Sequence, residues 1–272
     1  MNTRTVRAIV RKDLLTLAQN KGVWLPIAIV PLILIVIMPA AMLLAPAYLT
    51  FPGSTMSQMA SFIKNMPAAM LAQVAGMSET QTFSYLFVVY FFAPFFLIIP
   101  MMTSSVIAAD SFAGEKERKT LEALLYTPAT DMELFVGKAL SAWTPAVLVS
   151  FGSFILYTIV VNAAGYPTLG RLFFPTAMWL VLILWVVPAA AGLGIGVMVL
   201  VSAKVKSFQE ANQLGGMVVL PILLLVFGQV GGVLYFSLPV ALLIGAILWV
   251  ADIVLIRFAV KTFARGELIA RL

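Results

Sequence analysis

Six long apolar runs dominate this chain, near residues 23–49, 83–109, 139–164, 175–201, 215–233 and 238–257. Each meets or approaches the ~20 residues that a helix needs to cross a hydrocarbon core. A backbone immersed in lipid must satisfy its own hydrogen bonds, so helix is the expected form of every run. Only 10% of the 272 residues are charged, where a soluble domain carries about a quarter. The chain therefore reads as an all-α membrane protein, a single bundle over residues 1–272.

Charge fixes the expected orientation. Arg4, Arg7, Arg11, Lys12 and Lys21 precede the first run, and Lys116, Arg118, Lys119 and Lys138 lie between the second and third. Lys204 and Lys206 separate the fourth and fifth, and Arg257, Lys261, Arg265 and Arg271 close the chain. Only Lys64 and Arg171 fall on the other side. By the positive-inside rule both termini are expected in the cytoplasm, as in a multi-pass protein of the plasma membrane. The first run is too long for the ~7–15-residue core of a signal peptide, so it is read as an uncleaved span despite Ala45-Pro46-Ala47.

The net charge of +6 does not point to nucleic acid, because the basic residues flank apolar runs and form no patch with interleaved aromatics. Absence of both cysteine and histidine removes thiolate and imidazole chemistry and the usual zinc sites. With a single acid deep in an apolar run, neither a Ser–His pair nor an aspartyl dyad can be assembled. No catalytic or metal site is expected.

Two amphipathic segments lie outside the spans. Val6, Ile9, Val10, Leu14 and Leu17 recur at helical spacing within 3–20, opposite the arginines, which suits a helix in the cytoplasmic interface. In the external loop, residues 50–82, an apolar stripe of Met59, Phe62, Ile63, Met66 and Met70 fits either a lid or a helix resting on the bundle.

The cytoplasmic segment 110–138 carries the densest signal. Helix formers run from 115 to 125, with Leu121, Leu124 and Leu125 as an apolar edge, and Pro128 ends that helix. Thr130 with Glu133 three residues on makes a capping box that starts a helix leading into the third span. A short charged helix of this kind is suited to docking in a groove on a partner, and equally to serving as a solvated connector.

Asp110, Glu115, Lys116, Glu117, Arg118, Thr120, Leu121, Glu122, Leu124, Leu125, Thr127 and Pro128, followed by Gly137 and Lys138, resemble the signature of ABC type-2 exporter permeases. The tail at 263–268 resembles the ending of that family more weakly, with Gly266 where an acid is commoner. The resemblance implies six spans behind an amphipathic N-terminal helix, and a coupling helix after the second span that meets the ATPase. It assigns Asp110, Glu115, Lys116, Glu117, Arg118, Thr120, Leu121, Leu124 and Leu125 to that coupling. It further implies two permease subunits, as a homodimer or a heterodimer, and two ATPase subunits. The chain has no phosphate loop, since Gly137-Lys138 lacks the upstream glycine and runs into Ala139. ATP and Mg are accordingly expected on the partner ATPase, with no cofactor on this chain. The alternative is a stand-alone secondary transporter or channel, which would normally show internal repeats or paired intramembrane charges; neither is found.

Within the spans polar groups are few. Asp252 is the one deep acid, a candidate functional site by its cost alone, or else one half of a pair with Arg257 or a nearby hydroxyl. Asn162 and Gln229 lie toward the external ends of their spans as further candidates. Gly192, Gly194 and Gly196 permit close helix approach, and eight prolines within the spans are candidates for kinks.

Overall fold

The computed structural model describes residues 2–48, 66–120, 127–231 and 233–262. Among these the regular structure is entirely helical, and six helices are long and apolar enough to cross a membrane. They are α2 (Gly22–Ala45), α4 (Glu79–Glu117), α5 (Asp131–Leu169), α6 (Ala177–Ser202), α7 (Phe208–Val230) and α8 (Leu238–Val260). Helix α1 (Thr3–Gln19) precedes them and the short α3 (Ala68–Val74) lies between α2 and α4. Met59, Phe62, Ile63, Leu121, Leu124, Leu125 and the tail at 263–268 fall outside the described residues.

Helix α4 is the axis of the bundle. Of its most apolar stretch 72% is buried, against 17% for α8. Helices α5 and α6 pack along α4, and α8 leans on α6. Glycines set the closest approaches, since a Cβ at Gly194 would meet Ser104 Oγ of α4 at 2.3 Å and one at Gly196 would meet Leu255 Cβ of α8 at 2.9 Å. The expected close-contact stripe is thus used on two faces of α6.

The prolines leave a readable trace. Proline lacks the N–H that would bond the carbonyl four residues back, and a helix can absorb the fault as a widened turn. π-helical stretches precede Pro39 (Leu32–Ile37), Pro94 (Phe87–Phe91) and Pro188 (Leu182–Val186). A 3₁₀ stretch, Gly216–Val219, precedes Pro221. Helix α7 therefore continues through Pro221 to Val230, where Val233 N–H and Leu234 N–H both donate to Gly228 O and close it.

Among the described residues α4 runs past Ala109, through a π-helical turn at Asp110–Gly114, to Glu117, and residues 121–125 of the expected coupling helix lie outside them. Lys119 then adopts a left-handed φ of 57°. Across that turn Arg118 Nη1 pairs with Asp110 Oδ1 at 3.0 Å. Helix α1 docks on the start of α5. Its buried residues are Val6, Ile9, Asp13 and Leu17, and a Cβ on Gly137 would come within 2.8 Å of Ile9 Cγ2.

On the far side, α3 rests on the bundle with Met66, Met70 and Val74 in the core. Gln73 Oε1 accepts from the hydroxyls of Tyr85 (2.8 Å) and Tyr90 (2.7 Å) and ties it there.

Candidate functional site

At the basic end of the bundle, three helices bring their charges into one buried cluster. The capping box predicted for α5 forms, with Thr130 N–H donating to Glu133 Oε2 at 3.0 Å and Glu133 N–H to Thr130 Oγ1 at 3.3 Å. Glu133 also accepts the backbone N–H of Asn2, which fixes the start of α1 against the start of α5. Two turns further along α5, Lys138 is fully buried. Its ammonium donates to Glu115 Oε2 at 2.6 Å and to Ser111 O at 2.7 Å, and lies 3.9 Å from Asp13 Oδ2. The same nitrogen sits 5.6 Å from the centre of the Phe112 ring, within cation–π range.

Lys12 completes the set from the solvent side, 2.5 Å from Glu115 Oε1 and 2.9 Å from Asp13 Oδ1. Two ammonium groups thus face two carboxylates. This balance is what allows so many charges to leave water, because the desolvation cost is offset only when every charge is paired and hydrogen-bonded. Burial alone would lower the pKa of Lys12; hydrogen bonds and charge from Glu115 and Asp13 outweigh it and hold the ammonium above its ordinary value of 10.5. Ser141 Oγ, 3.1 Å from Asp13 Oδ2, adds a polar contact from α5.

Asp110 serves a neighbouring pair. Its Oδ1 accepts from Arg118 and, at 3.3 Å, from Asn20 Nδ2, while Asn20 Oδ1 caps α2 by accepting from Gly22 N–H at 3.1 Å. Of the residues the sequence grouped together, then, Asp110 and Glu115 point inward. Lys116 is half-buried, and Glu117, Arg118 and Thr120 are exposed. Glu117 Oε2 accepts the Phe208 N–H at 2.9 Å, linking the exposed turn to the start of α7. The sequence reading missed Asp13, although its spacing from Ile9 and Leu17 places it on the buried face of α1.

The other candidate polar residues lie apart from this cluster. Asn162 knits the turn between α5 and α6: its Nδ2 donates to Thr158 O (3.0 Å) and Phe174 O (2.7 Å), and its Oδ1 accepts from the backbone N–H of Phe173 and Phe174. Gln229 is fully buried, and its Nε2 donates at 2.8 Å to Tyr90 O. That carbonyl is four residues before Pro94, which has no N–H to offer it. Tyr157 Oη and Trp179 Nε1 donate to the two preceding carbonyls, Val88 O (2.6 Å) and Val89 O (2.7 Å). Three helices thus supply three donors to one widened turn of α4. Asp252 is buried against Gly192, where a Cβ would stand 2.4 Å from Oδ2, and among the described residues neither oxygen has a hydrogen-bond partner. The expected pairing with Arg257 does not form, and Arg257 is exposed.

A bundle of six membrane-length helices with a charged foot built by an N-terminal amphipathic helix and the ends of its second and third spans defines a polytopic α-helical membrane protein. The family model described as ABC-2 family transporter protein matches residues 7–267, and the chain belongs to that family. It is a membrane permease subunit of an ABC transporter, and membership implies an ABC ATPase partner. No curated protein matches the chain.

Proposed function

We propose that this permease is the membrane half of an ATP-driven exporter, coupled to a separate ATPase chain that holds ATP and Mg. The exposed turn at residues 116–120 and the chain that follows it form the docking element. The observation that carries this reading is the ion-paired junction of Lys138 with Glu115 and Asp13 directly behind that turn. A partner pressing on residues 116–120 would move α4, α1 and the foot of α5 as one unit, because charges buried this way cannot separate cheaply. The signature residues then divide by task. Asp110 and Glu115 brace the turn from inside, whereas Lys116, Glu117, Arg118 and Thr120 face the partner, with Leu121, Leu124 and Leu125 supplying its apolar edge.

In this reading the basic end is cytoplasmic, both termini lie on that side of the plasma membrane, and a second permease subunit completes the translocation unit. The experiment is co-expression with its ABC ATPase partner, followed by hydrolysis assays on the reconstituted complex. The double charge reversal Lys116→Glu/Lys119→Glu should abolish stimulation of hydrolysis by transported substrate while leaving membrane insertion unchanged. Stimulation that survives the reversal would place the docking element elsewhere.

A further inference from the structure

The carboxylate of Asp252 lies within a helix long and apolar enough to cross the membrane, and among the described residues it has no donor. Fourteen residues separate it from Leu238 at the start of α8, roughly 20 Å of rise, so it sits well below the far surface and short of the basic one. A buried carboxyl group without a partner costs several kcal/mol, and intramembrane acids that persist are usually answered by a counter-group. Within the described residues this chain supplies none: the nearest basic residue on the same helix, Arg257, is exposed and makes no bond to it.

Beside Asp252 lies a cleft of about 370 Å³ between α5, α6 and α8, with Asp252 in its wall. The volume is that of a small-molecule site. Its other walls are apolar, with Ala139 and Ile256 among them, and the lining includes two tryptophans, Trp143 of α5 and Trp249 of α8. Neither indole has a donor to spare for Asp252. Trp143 Nε1 donates to Pro188 O at 2.9 Å and Trp249 Nε1 to Trp185 O at 3.3 Å. Those bonds fix the rings and leave their faces, which attract cations, as what the cleft offers.

We propose that this cleft binds a lipophilic amine that enters from the bilayer, its ammonium group hydrogen-bonded to Asp252 and its apolar body between Trp143 and Trp249. Such a ligand brings together the two things the carboxylate lacks, a positive charge and N–H donors. The side chain reaches it by turning from Gly192 into the cleft. A free amine is favoured over a phospholipid headgroup because Asp252 lies within the span and headgroups sit at its ends. The site requires no nucleotide and no ATPase, so its test stands apart from that of the coupling.

The test is equilibrium binding of tritiated 1-adamantylamine to the full chain in phosphatidylcholine nanodiscs, with empty nanodiscs subtracted. One saturable site per chain is expected, undisturbed by the neutral analogue 1-adamantanol. Asp252→Asn keeps the side-chain shape and should weaken binding at least about tenfold, the loss typical of a charged hydrogen bond. Ala139→Trp fills the cleft with Asp252 in place and should remove binding as well. Unchanged affinity in either variant overturns the proposal. Displacement by 1-adamantanol would show an apolar cleft only, and loss of binding in phosphatidylethanolamine nanodiscs would assign the site to a lipid headgroup; either result overturns it too.

Discussion

Lys138 Nζ of α5 lies 2.6 Å from Glu115 Oε2 of α4, with both side chains sealed from solvent. This pair holds the two ends of the connecting segment 118–130 at one point and makes the exposed turn an extension of two spans.

Removing one partner leaves the other charge buried. Lys138→Met is expected to lower stability by about 3–5 kcal/mol, the cost of an uncompensated internal charge. The double variant Lys138→Met/Glu115→Gln should recover a large part of the loss. Thermal unfolding in detergent reads both, and a double variant no better than the single one would show that the pair does not act as a unit.

Gly137 lets α1 touch α5. Leucine there would drive into Ile9, whose Cγ2 stands 2.8 Å from the site of a single added carbon. Overpacking of this kind costs about 1–3 kcal/mol, and here α1 can yield by lifting away. Limited trypsin digestion should cut Gly137→Leu faster at Arg4, Arg7 and Arg11, with protection restored by Ile9→Ala.

The donors to the widened turn of α4 are separable from the bulk around them. Tyr157→Phe keeps the ring stacked on Trp179, 4.9 Å between centroids, and loses only the bond to Val88 O. Gln229→Leu loses the bond to Tyr90 O. Each should cost about 0.5–2 kcal/mol in thermal stability. A neutral result at Gln229 would mean that Tyr90 O is satisfied by another group.

The pH dependence of α1 docking follows from Lys12. Its folded pKa lies above the ordinary 10.5. The stabilisation it supplies is therefore complete below that value and is lost as pH rises through the folded value. Protection of α1 from protease should be flat between pH 7 and pH 9, and a fall within that range would contradict the pairing with Glu115 and Asp13.

The sequence carried the spans and the α5 cap because both are local. Twenty apolar residues and a Thr130–Glu133 spacing mean the same thing wherever they occur. The end of α4 was not legible in this way. Helix propensity favours continuity from Glu115 onward, whereas Arg118 and Lys119 form a turn beside the Asp110–Arg118 pair and a clamp on Glu115 that reaches 23 residues ahead to Lys138 and over 100 residues back to Lys12. Asp13 was within reach, since its position between Ile9 and Leu17 is visible in the spacing, but a face counted by apolar residues alone omits it. The polarity of Gln229 is visible in the sequence; its partner could be found only by seeing that Pro94, on another helix, has no N–H to offer Tyr90 O.

Position 119 most directly tests coupling through the exposed turn. A photo-crosslinking amino acid placed there, in membranes that also contain the ATPase, should give a covalent permease–ATPase product, and one placed at Arg171 on the opposite end should give none. Crosslinking from Arg171 in place of position 119, or from neither, would contradict the account.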